Sequence, residues 1–548
     1  MKKISALILI LLFVLSGISA KAQTKAKPGK TSAAPAKPTF GNTDGVTAEQ
    51  LRNHLEFIAS DELEGRDTPS RGLDIAALYI AQHLKRFGIK PAGDNGTYFQ
   101  KVPLKRNKID PQNTRLTLNN QTFNYGDDFL ASYIAGNVSN ANVVYVGHGW
   151  FIKSKNIDAY QNIDVKDKVV IAYNALPKGI TFNDLQGGKQ GVDWASPTFY
   201  AQMKGAKAVI LISSFNELAN WKNAVQTQTE KGGLQFGTPQ TQLTIPILTA
   251  SPRLINTLFQ GEKSNGLSIY SRAMAQDFIE PFELNANKKI SLSTSIKTED
   301  TFTQNVVGVL EGSDANLKNE YVAIGAHYDH VGMNPNAPGP DKIWNGADDD
   351  GSGTVSVLSI AEAFAKGAQR PKRSMLFIWH AGEEKGLWGS DYYTDHPTVP
   401  IDKIITELNI DMIGRYQNPG DENHPRNKNL PKPGEVFLIG SKMMSTELGE
   451  LSEATNKAFL NLQFNYKYDD PNDPEQYFYR SDHYNYARKG VPIIFYMDGD
   501  HADYHQPSDS VEKINFEQME KVARTIMATG WELANRATRP TVDKPLPK

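Results

Sequence analysis

The sequence predicts an α/β protein: a mostly parallel, twisted mixed sheet with helices on both faces, plus a small β-rich inserted domain. Three observations predict it. After residue 300, apolar runs of strand length alternate with helical stretches, the pattern that sandwiches a parallel sheet between helix layers. Between about 110 and 290 the pattern changes to short β-rich runs separated by Gly, Asn and Lys turns. The length of 548 residues, with 39% hydrophobic and 22% charged, is that of a soluble chain too long for one average domain.

In chain order, residues 1–22 read as a secretory signal peptide: two lysines, an apolar run from Ile4 to about Ile18, then Ala20 and Ala22 in an A-x-A arrangement. The run is shorter than the ~20 residues a bilayer crossing needs, and no later stretch is longer, so the mature chain is expected in the periplasm or outside the cell without stable membrane insertion. Residues 23–45, rich in Lys, Pro, Ala and Thr, read as a flexible linker.

The N-terminal part of the larger domain, 46–109, holds two helices. "TAEQLRNHLEFIAS" has Thr47 and Gln50 at capping-box spacing, and "GLDIAALYIAQHLKRFG" is stopped by Gly88 and Pro91. The insert, 110–289, contributes "NVVYVGHG", "KDKVVIAYN", "GAKAVILISS" and "TIPILTA" as strands and has no acidic or imidazole cluster at metal-ligand spacing. The domain resumes over 290–540, followed by a tail, 541–548. Its strands are "NVVGVLEG", "YVAIGAHYD", "SMLFIWHAGEE", "IITELNIDMIG", "EVFLIG" and "VPIIFYMDG", and its helices "GTVSVLSIAEAFAKG", "STELGELSEATNKAFLN" and "NFEQMEKVARTIMATGWELAN".

Composition narrows the function. A formal net charge of −2 provides no basic field for nucleic acid. The absence of cysteine removes disulfides, thiol catalysis and thiolate ligands, so any metal must sit on His, Asp and Glu. In a parallel sheet ligands bind at the carboxyl ends of the strands. There this sequence places His327 and Asp329, Glu383 and Glu384, Asp411 and, in a loop after a strand, His505, while "WNGADDDGSGT" supplies Asp348, Asp349 and Asp350 at the start of a helix. Each alone reads as an ordinary loop residue; together they form a plausible metal centre. His330, His380, His483 and His501 carry no such argument and read as structural or surface residues. A calcium loop from Asp348 fails because its twelfth position is Ser359, and there is neither an H-E-x-x-H helix nor a G-x-S-x-G elbow.

The order H-x-D, G-A-D-D-x-x-S-G, E-E-x-G-L-x-G-S, a D-M strand end and a late His resembles the di-zinc aminopeptidases typified by secreted bacterial leucine aminopeptidases. Glutamate carboxypeptidase, the transferrin-receptor ectodomain and glutaminyl cyclase are among their relatives. "DVKDKVVIAYN", "KGAKAVILIS" and "IPILTAS" resemble a protease-associated domain. The resemblance implies a zinc-peptidase fold and a secreted zinc-dependent exopeptidase, an aminopeptidase acting on peptides through a metal-bridging hydroxide. A carboxypeptidase or dipeptidase of the same family, or a glutaminyl cyclase, is the alternative, and a non-catalytic receptor-like protein is disfavoured by the complete ligand set.

The resemblance further implies two Zn2+, with Co2+ or Mn2+ as substitutes: His327, Asp349 and Asp411 on one, Asp349, Glu384 and His505 on the other. Asp329 is expected to accept a hydrogen bond from the His327 ring, and Glu383 to act as general base. Tyr504 is expected to bind the oxyanion, with Tyr479 its rival. Asp348 and Asp350 are left as supporting neighbours, and Gly351 and Gly353 as the residues that let loop turn into helix. Arg66, Arg71 and Arg480 are either structural or a carboxylate anchor for a carboxypeptidase.

Overall fold

The computed structural model describes residues 39–185, 188–237 and 243–547; the expected signal peptide and residues 23–38 of the expected linker lie outside them. The fold begins earlier than the expected residue 46. Phe40 is buried and meets Phe459 edge-on at 5.4 Å, so an aromatic residue in an otherwise core-poor segment pulls the last linker residues onto the domain.

The large sheet is mixed. Its centre is parallel, with Tyr321–His327 between Ser374–His380 and Ile404–Ile410, and Ile493–Met497 next to the last of these. Antiparallel strands extend it on both sides: Ile296–Leu310 and Phe99–Ile109 on one, Glu435–Ile439 on the other. The expected parallel character thus belongs to the middle strands. They are buried on both faces, which is why they read as unbroken apolar runs. The helices Ala48–Ile58, Arg71–Phe87, Gly353–Lys366, Thr446–Ala458 and Phe516–Asn535 pack against one face, and Trp388–Asp395 and His483–Arg488 against the other. Local signals set their ends. Thr47 Oγ1 accepts from the Gln50 amide, Ser445 caps Thr446–Ala458, and Gly88 takes the left-handed conformation that stops Arg71–Phe87.

The insert forms a six-stranded and a four-stranded sheet around its own core, including Phe129, Tyr145, Ile210 and Phe259. It extends to Thr294, past the expected limit of 289, because Ile290–Thr294 pairs with Arg115–Leu118. One strand returns to the larger domain: Gly233–Phe236 pairs antiparallel with Leu104–Asn107 at the sheet edge, and Phe236 stacks on Trp388 at 5.9 Å. No helix among the described residues is long and apolar enough to cross a membrane.

Candidate metal centre

The parallel strands all end at one edge. His327 and His380 are register partners at the ends of neighbouring strands, Glu383 and Glu384 follow the His380 strand, Asp411 follows Ile410, and His505 lies in the loop beyond Met497. Asp349 arrives from Ala347–Ser352, the distorted turn that opens the Gly353 helix; the Asp349–Asp350 peptide is cis.

The acidic turn resolves into three different carboxylates. Asp349 faces the site with one oxygen toward each of two groups of side chains. Its Oδ1 is 3.3 Å from His327 Nε2, and its Oδ2 is 3.1 Å from His505 Nε2 and 3.6 Å from His330 Nδ1. Asp350 turns inward and ties the loops together, accepting from the backbone amides of His327, Gly353 and Met412. Asp348 accepts from the Gly414 amide at 2.7 Å and faces His501 at 3.2 Å. Gly353 has no room for a side chain, since a Cβ there would collide with the Ile410 carbonyl and the Asp350 carboxylate.

Two clusters of donors result. His327 Nε2 lies 3.6 Å from Asp411 and 3.9 Å from Glu383, while His505 Nε2 lies 2.9 Å from Glu384. Imidazole nitrogens and carboxylate oxygens grouped like this suit a borderline divalent ion such as zinc. Asp349 Oδ2 and His330 Nδ1, which face each other across this group, are buried without a hydrogen-bond partner, as expected of atoms whose partner is a cation. With protein charges alone, burial opposes charge on His327, yet Asp411, Glu383, Asp329 and Asp349 outweigh it and hold its pKa well above the usual value. Burial likewise disfavours the Asp349 carboxylate, but His330, His327 and His505 pull its pKa well below the ordinary range. Glu383 goes the other way: burial raises it far above a normal glutamate, only partly offset by His327, and Asp411 and Glu384 add to the rise.

Asp329 is beside His327 but not in the expected way. The nearest acceptor to His327 Nδ1 is the Asp329 backbone carbonyl at 3.2 Å, with the carboxylate at 3.7 Å. The carboxylate instead accepts from the Glu383 amide at 3.2 Å and from Thr68 Oγ1 at 3.0 Å, so it holds the Glu383 loop. Tyr504 lines the cleft and stacks on His505 at 4.0 Å, whereas Tyr479 packs against Phe478 and Tyr484.

The three arginines separate. Arg66 is fully buried and donates to the carbonyls of Tyr328 (2.9 Å), Ile58 (2.6 Å), Asn345 (2.7 Å) and Gly346 (3.0 Å), clamping two of the site's loops. Arg71 is exposed at a helix start. Arg480 lines the cleft but is paired with Asp500, 3.3 Å from each carboxylate oxygen, and lies over the Tyr477 ring.

The sequence reading missed His330. It is buried in the site with Nδ1 2.8 Å from Glu384 Oε1. The only signal was its position three residues after His327, in a loop where periodicity carries no information.

The profile of Peptidase family M28 matches residues 305–530. Among curated proteins, a probable leucine aminopeptidase of Trichophyton verrucosum is 28% identical over 222 residues, 39% of this chain and 54% of that protein. Aminopeptidase YwaD of Bacillus subtilis is 26% identical over 269 residues, 48% of this chain and 51% of that protein. The chain thus spans about half the length of the curated relatives it matches. Among solved structures, an aminopeptidase from Aneurinibacillus aligns over 92% of this chain and 97% of its own at 19% identity and TM-score 0.50. BSAP, a zinc aminopeptidase from Bacillus subtilis, aligns over 91% and 98% at 17% identity and TM-score 0.50. These two likenesses show the fold.

Proposed function

We propose, from the match of residues 305–530 to the profile of Peptidase family M28, that the chain is an exported metallo-aminopeptidase holding two zinc ions. The observation that carries the reading is Asp349, a buried carboxylate with one oxygen toward the His327 and Asp411 group and the other toward the Glu384 and His505 group. A shared carboxylate in that position offsets the repulsion between two neighbouring cations. In this reading His327 and Asp411 belong to one ion, Glu384 and His505 to the other, and Asp349 to both.

When bound, the two ions supply a water acidic enough to attack at neutral pH and polarise the scissile carbonyl. The chain does the rest. Glu383, held by its own amide on the Asp329 carboxylate, takes the water's proton and returns it to the departing amine. Tyr504 donates its hydroxyl to the oxyanion from the cleft wall.

The cleft argues against recognition of a carboxyl terminus: Arg480, the arginine among its lining residues, is already paired with Asp500. A carboxylate anchor needs a free arginine, whereas an α-ammonium needs carboxylates. The insert is read as a protease-associated domain, and the N-terminal signal peptide sends the chain to the periplasm or beyond.

The test is a panel of aminoacyl-p-nitroanilides against N-acylated analogues and C-terminal dipeptide substrates, with and without chelator. Free amino termini should be cleaved, and chelation should abolish it. Cleavage of blocked substrates alone would remove the aminopeptidase assignment, and hydrolysis that survives full metal removal would remove the metal mechanism.

A further inference from the structure

His330 lies beyond the five residues assigned above, and we infer that it is a direct ligand, the fourth protein donor of the metal site formed by Asp349, Glu384 and His505. The inference rests on the two-metal reading.

The contact between His330 and Glu384 is close without being a hydrogen bond. His330 Nδ1 is 2.8 Å from Glu384 Oε1, yet both ring nitrogens of this fully buried side chain lack a hydrogen-bond partner. Two atoms that approach so closely without aiming at each other are arranged as donors to a common third atom. Around a tetrahedral zinc with ligands at 2.0–2.1 Å, neighbouring donor atoms are about 3.3 Å apart. The observed separations bracket that value: 2.8 Å and 3.6 Å from His330 Nδ1 to Glu384 and Asp349, and 2.9 Å and 3.1 Å from His505 Nε2 to the same two carboxylates. One donor atom from each of the four side chains falls within 4.8 Å of the others.

The ring is also fixed there. It packs edge-on to His505 at 5.6 Å, and any side chain at residue 346 would collide with it, so Gly346 is needed to admit the imidazole. Glu384 and the shared Asp349 bring negative charge to the ion, and the two imidazoles join as neutral donors. Four protein donors would make the shared water a fifth ligand at this site, a coordination number that catalytic zinc can reach in the transition state. The other site, with His327, Asp411 and the shared Asp349, has fewer protein donors and is left to receive the substrate carbonyl.

The experiment starts from the mature chain stripped by chelation and titrated with Co2+, followed by its visible absorption, with X-ray absorption of the zinc-loaded protein counting imidazoles. Wild type should bind two equivalents with three imidazoles per chain. His330→Ala should lower the affinity of one equivalent by more than ~100-fold, beyond the 10–100-fold typical of a residue that only supports a ligand, with two imidazoles remaining. His330→Gln, which can hydrogen-bond to Glu384, should not restore the lost affinity. Two imidazoles in wild type, unchanged binding in His330→Ala, or full restoration by His330→Gln would each overturn the inference. The wild-type count needs no variant to fold. Fewer than two metals in wild type would instead defeat the two-metal reading itself.

Discussion

Replacing Arg66 tests whether the site is assembled by a residue outside the matched segment. Its guanidinium satisfies four backbone carbonyls, from Ile58, Tyr328, Asn345 and Gly346. Burial lowers its pKa to about 10, with Asp329, Asp349, Asp350 and Asp509 supporting the charge, so it stays cationic at neutral pH. Arg66→Met leaves the four acceptors buried and unpaired at roughly 1–3 kcal/mol each, and those carboxylates without a counter-charge. The lower half of that range already sums to about 4–8 kcal/mol, comparable with the ~5–15 kcal/mol that holds a whole domain together. Arg66→Met should therefore give little folded protein. Arg66→Lys keeps the charge but has one nitrogen where the guanidinium has three, and should fold with a loss of about 2–4 kcal/mol. Urea denaturation measures both. An Arg66→Met protein within about 1 kcal/mol of wild type would refute the clamp.

Three further outcomes follow from the same geometry. Glu383→Gln should lower hydrolysis by about 10²–10⁴-fold with metal content unchanged, read by kinetics beside elemental analysis; a parallel loss of metal would make Glu383 a ligand instead. Gly65→Ala should fail to fold, because Gly65 has φ of +67° and a Cβ there would strike the carbonyls of Gly332 and Trp344; recovery of a protein with wild-type melting would contradict that contact. His483, pushed by burial to about 3, binds a proton more weakly folded than unfolded. Its contribution is therefore intact above pH 6.5 and is lost as pH falls from 6.5 toward 3, by up to ~1.4 kcal/mol per pH unit. His483→Gln, which keeps a donor toward the Phe478 carbonyl, should flatten the acid limb of the stability curve by that share, and superimposable curves would exclude His483 as a contributor.

Much of this was legible in the sequence because the informative signals are local. The buried centre of the sheet announces itself as apolar runs ending in His327, Glu383, Glu384 and Asp411. The helices carry their own start signals at Thr47 and Ser445 and a stop at Gly88. What was hidden depends on pairing across sequence distance. The antiparallel flanks arise from partners far apart in sequence, as Ile296–Leu310 meets Ser374–His380. Arg66 and Thr68 reach loops some 260 residues away, and no spacing rule reports that a guanidinium ends on carbonyls rather than on a substrate. Asp329 was placed correctly beside His327, but its carboxylate serves Glu383, a distinction of less than one ångström that only coordinates make. His330 was set aside because one histidine in a loop is usually a surface residue; its burial comes from Gly346 and Asp349, which fold in from the other side.

The central claim, a carboxylate shared by two ions, is tested most directly by counting tightly bound zinc in wild type and in Asp349→Asn after exhaustive dialysis. Wild type should retain two equivalents per chain, and Asp349→Asn should retain fewer than two and lose hydrolysis. Two tightly held zinc ions in Asp349→Asn, or a single one in wild type, would contradict it.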